Sequence, residues 1–182
     1  MYEGKNKTAL RSQQRIAEGL LKLIDEKPLE DISINEIAKT TRISRQTFYS
    51  LFETKRNAVA YAVKHKYPLV IAEGDESPSF DDICRAVTDY LVENRALLGM
   101  LFANNMDSIV YEILKDALSE CDVIIPAQQE HRAELITSYT AGGLNAIARR
   151  YTHEQPNTAA GVIERSCAFL ISAKSHTYLQ RL

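Results

Sequence analysis

Arg45, Gln46, Thr47, Tyr49 and Ser50 lie within six residues of one another, interleaved with Phe48, Leu51 and Phe52. At helical spacing the three apolar residues share one face at i, i+3 and i+4. Gln46, Tyr49 and Ser50 then lie opposite, with Arg45 and Thr47 flanking near the start. Guanidinium, carboxamide, hydroxyl and phenol groups clustered at the beginning of a short helix suit hydrogen bonding to base edges and phosphates in a DNA groove. Arg prefers guanine and Gln adenine, which makes Arg45 and Gln46 candidates for base contacts. Thr47, Tyr49, Ser50 and Lys55 are candidates for phosphates, with Ser33 and Thr8 assisting from helix ends.

These side chains need a scaffold, and the flanking sequence supplies one. Ser33 stands three residues before Glu36, an S-x-x-E capping box that opens a helix. Ile34, Ile37 and Ala38 recur there at helical spacing. The pattern stops at Thr40-Thr41-Arg42, and Ser44 is positioned to cap the next helix. Two short helices joined by a tight turn form a helix-turn-helix, in which the start of the second contacts the bases. The same pattern also occurs in all-α proteins that bind no DNA, where Thr47-Phe48-Tyr49 is only core and rim. Upstream, a helix over Thr8–Glu26 buries Ile16, Leu20, Leu23 and Ile24 and ends at Lys27-Pro28. Residues 1–7 read as a mobile arm whose Lys5 and Lys7 reach phosphate. Downstream, Thr54 caps a helix that begins at Lys55 and runs to about Tyr67, where Pro68 ends or kinks it.

The remainder is helical by pattern. Glu73–Ser79 is a loop by composition. Helices follow from Ser79 to about Asn94, Ala96 to Asn104 and Asp107 to Glu120. Ile124-Ile125-Pro126 is too short for a strand and reads as a buried connector. Two long helices close the chain, at about Gln128–His153 and Thr158–Leu179. The first carries a stripe of Leu135, Tyr139, Gly142 and Ala146 beside Ile136, Gly143 and Ile147. The second carries Val162, Ile163, Ser166, Cys167, Leu170 and Ala173. Gly142 and Gly143 each cost roughly 1 kcal/mol in a helix relative to alanine, which implies a packing reason.

The chain has 182 residues, 45% of them hydrophobic and 25% charged, enough for a packed core with a solvated surface. It has no apolar run near the ~18 residues of a membrane helix, and a cytoplasmic protein is expected. The net charge of −2 is unevenly divided. Residues 1–56 hold eleven Lys and Arg against eight Asp and Glu, and residues 57–182 hold eleven against sixteen. The surplus of positive charge therefore coincides with the proposed phosphate contacts. Cys84, Cys121 and Cys167 form no C-x-x-C pair, and the four histidines show no metal-ligand spacing. No phosphate loop, H-E-x-x-H or G-x-S-x-G is present, so no enzyme, cofactor or metal is expected.

From about Arg11 to Val63 the sequence resembles the DNA-binding domain of the TetR family of bacterial transcriptional regulators. The matching residues run in order: Ile16–Ile24, Leu29-x-x-Ile32-Ser33, Ile37-Ala38, Ile43-Ser44 and Thr47-Phe48-Tyr49-x-x-Phe52-x-x-Lys55. Most members have Gly where this chain has Arg42, often Gly at Gln46, and often Tyr or His at Leu51. A non-Gly residue at Arg42 costs about 1 kcal/mol if the backbone needs positive φ.

The resemblance implies an all-α fold, with a three-helix DNA-binding domain over 1–56 and a helical regulatory and dimerisation domain over 57–182. It assigns DNA contacts to Thr8, Ser33, Ser44, Arg45, Gln46, Thr47, Tyr49, Ser50 and Lys55. By the same resemblance, Tyr139, Gly143, Ala146, Ile147, Ile163, Ser166, Cys167, Leu170 and Ala173 form the homodimer interface. A ligand pocket is implied at Tyr90, Met100, Phe102, Met106, Tyr111, Tyr139 and Phe169, although Met and aromatic residues at helical spacing also read as plain core. The partners implied are a near-palindromic operator duplex, a second copy of the chain, and a small-molecule or protein effector that releases the DNA. Two alternatives stay open: an activator or DNA-dependent regulator of another protein, and a helical adaptor that binds no DNA.

Overall fold

The computed structural model describes residues 1–2, 4–71, 78–121, 130–153 and 165–169. All regular structure among them is helical. Helix α1 spans Lys7–Glu26, a single 3₁₀ turn Leu29–Asp31, α2 Ile34–Thr41, α3 Arg45–Phe52 and α4 Lys55–Lys66. Helices α5 Phe80–Glu93, α6 Arg95–Ala103, α7 Asp107–Ser119 and α8 Glu130–His153 follow. The chain divides into two compact units, Met1–Pro68 with Ala103–Met106, and Leu69–Phe102 with Asp107–Leu182.

The first unit is built around α1. Its buried stripe, Ile16, Leu20 and Ile24, meets Ile32 and Ile37 from the α2 region, Phe48, Leu51 and Phe52 from α3, and Ala58, Val59, Ala62 and Val63 from α4. The unit therefore extends past residue 56 to Pro68, because α4 has its own apolar face to bury against α1 and α3. An aromatic chain ties α3 to α4: Phe48 to Phe52 at 6.1 Å between centroids, then Phe52 edge-on to Tyr61 at 5.4 Å.

Local side-chain chemistry sets each boundary. Ser33 and Glu36 form the reciprocal capping box, with Glu36 N–H donating to Ser33 Oγ at 3.2 Å and Ser33 N–H to Glu36 Oε2 at 2.9 Å. Ser44, Thr54 and Ser79 each accept from the backbone N–H three residues on, at the starts of α3, α4 and α5. Arg42 ends α2 in the left-handed region, at φ 53° and ψ 42°. The first residues are not a mobile arm. Tyr2 N–H donates to Leu51 O at 2.8 Å, and Gln13 Nε2 donates to Tyr2 O at 3.0 Å, which holds the segment against the end of α3.

In the second unit α7 packs along α8. Helix α5 buries Ile83, Cys84, Val87, Thr88, Tyr90 and Leu91, and α8 buries Ile136, Ala141, Leu144 and Ala148. Residues 165–169 are helical. The connector at Ile124-Ile125-Pro126, the rest of the expected last helix, and Ile163, Leu170 and Ala173 lie outside the described residues. No helix among the described residues is long and apolar enough to cross a membrane.

Two contacts in the first unit lead to predictions. A Cβ on Gly19 would lie 2.4 Å from Thr41 Cγ2. Thr41 cannot swing aside, since its hydroxyl donates to Ile37 O at 2.7 Å and its carbonyl accepts from Arg15 Nη2 at 2.6 Å. Alanine gains roughly 1 kcal/mol in helix propensity over glycine, while overpacking costs about 1–3 kcal/mol. Gly19→Ala should therefore lower the melting temperature, and adding Thr41→Ser should recover most of the loss. A higher melting temperature in the single variant would show that α1 can move away from α2.

The Glu36 carboxyl is the second case. A hydrogen bond from the Lys27 ammonium at 2.5 Å, followed by the Ser33 donors, holds its pKa at about 2 against an ordinary 4.5. Because the folded value is depressed, this contribution to stability is complete above about 4.5 and is lost as the pH falls toward 2. Glu36→Gln should flatten the acid limb of a stability–pH curve in that window. An unchanged limb would mean that the Lys27–Glu36 pair contributes nothing in solution.

Candidate nucleic-acid interface

Helix α3 is oriented by its apolar residues. Phe48, Leu51 and Phe52 are essentially fully buried, so the opposite side of an eight-residue helix must face out. Arg45, Gln46, Tyr49 and Ser50 are exposed there and Thr47 is half-buried. Tyr49 is 48% exposed, and its ring rests edge-on against Phe48 at 5.7 Å, which fixes the phenol without hiding it. Leu51, where many TetR-like chains have Tyr or His, points inward and offers nothing to a phosphate.

The amino-terminal end of α3 is organised by two hydroxyls. Ser44 Oγ accepts from Thr47 N–H at 3.0 Å and shares a 2.8 Å hydrogen bond with Thr47 Oγ1. Ser50 Oγ donates to Thr47 O at 2.9 Å. Thr8 is exposed in the first turn of α1, where Asn6 Oδ1 accepts from its amide. Arg45 and Gln46 therefore stand as exposed donors at the end of the helix that enters the groove in this motif.

Two groups expected at phosphates are engaged within the chain. Ser33 Oγ donates its single proton to Glu36 Oε2 at 3.0 Å, inside the capping box. A phosphate oxygen only accepts, so Ser33 has no proton left for it. Lys55 Nζ donates to Leu29 O at 2.6 Å, Ile32 O at 2.7 Å and Glu30 O at 3.3 Å. An ammonium has three donors, and all three are engaged by the 3₁₀ turn. The same turn is held from its other side, where Leu29 N–H donates to Asn104 Oδ1 at 2.7 Å. Next along α4, Arg56 Nη2 donates to Asn105 O at 2.8 Å. Lys55 is thus a clamp between α4 and the α1–α2 connection. Its partners lie 23 to 26 residues upstream, where no short motif reveals them.

The proposed pocket residues scatter. Tyr90 and Phe102 are buried in the second unit, and Met100 and Tyr111 are half-buried. Burial pushes the Tyr90 phenol up to about 12, and its hydroxyl has no hydrogen-bond partner among the described residues. Met106 is fully buried but belongs to the first unit, which removes it from a pocket in the second. Tyr139 and Phe169 are 50% and 71% exposed, so neither lines an enclosed cavity in this chain. Cys84, Cys121 and Cys167 are buried thiols, none of them in a disulfide.

Lys55→Met retains the aliphatic stem but leaves three carbonyls without their cation. It should cost about 1.5–3 kcal/mol of stability, the range for hydrogen bonds to a charged group. In DNA binding it should leave the salt dependence unchanged. A salt slope shallower by about one per subunit would restore Lys55 to a phosphate-contacting role.

No protein-family model matches the chain. A curated HTH-type transcriptional regulator of Staphylococcus aureus (strain USA300) is 33% identical over 107 residues, covering 54% of this chain. The match spans 58% of that relative's length. A crystal structure of a TetR-family regulator from Streptomyces coelicolor superposes with a TM-score of 0.63 and 18% identity, covering 93% of this chain and 99% of that one. The dihydroxyacetone kinase operon activator DhaS superposes at 0.58 with 19% identity, covering 89% and 95%. With an exposed α3 seated on α1, α2 and α4, the chain has the fold of the TetR-family regulators, and its sequence is similar to helix-turn-helix transcriptional regulators.

Proposed function

We propose that this chain is a sequence-specific DNA-binding transcriptional regulator that works as a homodimer on a near-palindromic operator. The observation that carries the proposal is the division of α3: its apolar residues are fully used in the core, and Arg45, Gln46 and Tyr49 are exposed on the other side, the first two at its amino-terminal end. Arg45 and Gln46 read base edges, while Thr47 and Tyr49 position the helix on the backbone; the Ser50 proton, like that of Ser33, is already given within the chain, to Thr47 O.

The dimer is supported by α8. Leu135 and Tyr139 are 58% and 50% exposed, and Gly142 and Ala146 continue their stripe at i+7 and i+11. Among the described residues a Cβ at Gly142 would meet nothing within 4 Å, so they give no packing reason for the glycine. A second copy does, since an isologous twofold contact lets two such stripes approach closely. Half-sites then lie ~34–36 Å apart, one turn of DNA.

Release by an effector, small molecule or protein, completes the proposal. Its support is the buried Tyr90 hydroxyl, which lacks a partner among the described residues. A coupling of ~1–3 kcal/mol between effector and DNA changes operator affinity 5–150-fold. Repression is the primary reading. Activation is the second, because one solved structure of this fold is an operon activator. Operator position relative to the promoter separates the two.

Selection from random duplexes with the purified chain should yield one short near-palindrome, bound tightly and salt-sensitively by two copies. Tyr139→Arg should give a monomer in sedimentation and lose that binding at least tenfold. Selection that returns no enriched sequence would move the chain to the adaptor reading.

A further inference from the structure

The turn between α2 and α3 contains a residue whose backbone and side chain pull in opposite directions. Arg42 sits at φ 53° and ψ 42°, the left-handed conformation that glycine adopts freely and a residue with a Cβ does not. Arg42 is therefore a poor choice for ending α2. Nor does its side chain offset the cost within the folded chain. It is exposed, and among the described residues it has neither an ion pair nor a side-chain hydrogen bond.

Other cations of the first unit contrast with this. Arg15 donates to Thr41 O, Lys27 to Glu36, Lys55 to three carbonyls and Arg56 to Asn105 O. Each holds two segments together. Arg42 holds none, and it lies three residues before Arg45, itself exposed, with the Ser44 cap between them. The first turn of α3 contains no acidic residue. Arg42 ends α2, where a cation is favourable, whereas Arg45 opens α3 at a positively polarised end that has no acidic side chain beside it and suits a phosphate. A planar guanidinium matches a phosphate bidentately.

We infer that Arg42 is a DNA-backbone ligand, its guanidinium holding an operator phosphate beside the amino-terminal end of α3. The inference rests on the DNA-binding reading above and adds a contact to it. Strain at the turn is then the cost of aiming a cation outward from a position that glycine would leave empty.

The test compares wild type with Arg42→Gly, Arg42→Asn and Arg42→Lys in the full chain, using the duplex that wild type selects. Melting temperature and operator affinity are measured across a series of salt concentrations. Arg42→Gly and Arg42→Asn relieve the backbone and should melt at higher temperature than wild type. Both should bind at least about fivefold more weakly near 0.1 M salt, with a salt slope shallower by about one per subunit. The loss should be the same for operator and unrelated duplex. Arg42→Lys should keep the wild-type slope, since the charge is retained. A purely structural role moves the melting temperature alone.

Stabilised variants that bind with the wild-type slope would overturn the inference. So would a loss confined to one base pair, which marks base reading instead. Wild type that binds no duplex at all is a different result, and it removes the DNA-binding reading together with this contact.

Discussion

Helices α2 and α3 have eight residues each, well below the ~12–15 at which an isolated helix begins to persist in water. Everything that α3 presents to a groove therefore depends on packing and caps. Phe48, Leu51 and Phe52 supply the packing, and all three are needed inside. Ser44 satisfies an orphan N–H at one end, and at the other Tyr2 N–H donates to Leu51 O. The close approach of α1 to the end of α2 is set at Gly19, where any side chain would strike Thr41. With these positions fixed, the outward residues of α3 are free to vary without unfolding it. Stability and the proposed DNA contacts thus fall on different residues of one short helix.

Charge in the first unit follows a similar division. A surplus of Lys and Arg over residues 1–56 suggests an electrostatic footprint, but the count overstates what is available to DNA. Arg15, Lys27, Lys55 and Arg56 are bound to carbonyls or to a carboxylate inside the unit. Arg42 and Arg45 are exposed at the turn and at the start of α3. A modest net charge can still steer DNA when part of it stands at the reading end.

What the sequence makes legible is local. Capping hydrogen bonds span three residues, so Ser33–Glu36, Ser44, Thr54 and Ser79–Asp82 can be read directly, and the helix starts they set agree with the structure to within a residue or two. The inward face of α3 follows from the spacing of Phe48, Leu51 and Phe52 for the same reason. Lys55 is the counterexample. The TetR-like resemblance and a helix N-terminus both suggest phosphate, yet its ammonium is held by carbonyls 23 to 26 residues away. Met106 likewise reads as lining for a regulatory pocket, but the α6–α7 turn folds into the first unit, with Asn104 and Asn105 bonded to Leu29 and Arg56. Tyr139 and Phe169 fit an apolar pattern equally well inside or outside. Only burial separates a pocket wall from an exposed stripe, and burial is a tertiary property.

The described backbone departs from ordinary non-glycine conformations at Arg42, Glu53 and Asn105. Two of these bracket α3. Arg42 ends α2 in the left-handed region, and Glu53 follows α3 at φ 62° and ψ −49°, with Thr54 N–H donating back to Phe52 O at 2.5 Å. A three-residue turn of this hand is rare and strained. It reverses the chain at once, so that Thr54 can cap α4 and Lys55 can reach the 3₁₀ turn. The third, Asn105, offers its carbonyl to Arg56, the residue after that clamp. Helix α3 is thus joined to its neighbours by two abrupt turns, each made by a residue that tolerates the conformation poorly. Longer and more relaxed connections would leave an eight-residue helix freer to tilt, and a tilt of α3 moves Arg45 and Gln46 together. Strain at its two ends is consistent with a helix whose direction matters more to the protein than its stability.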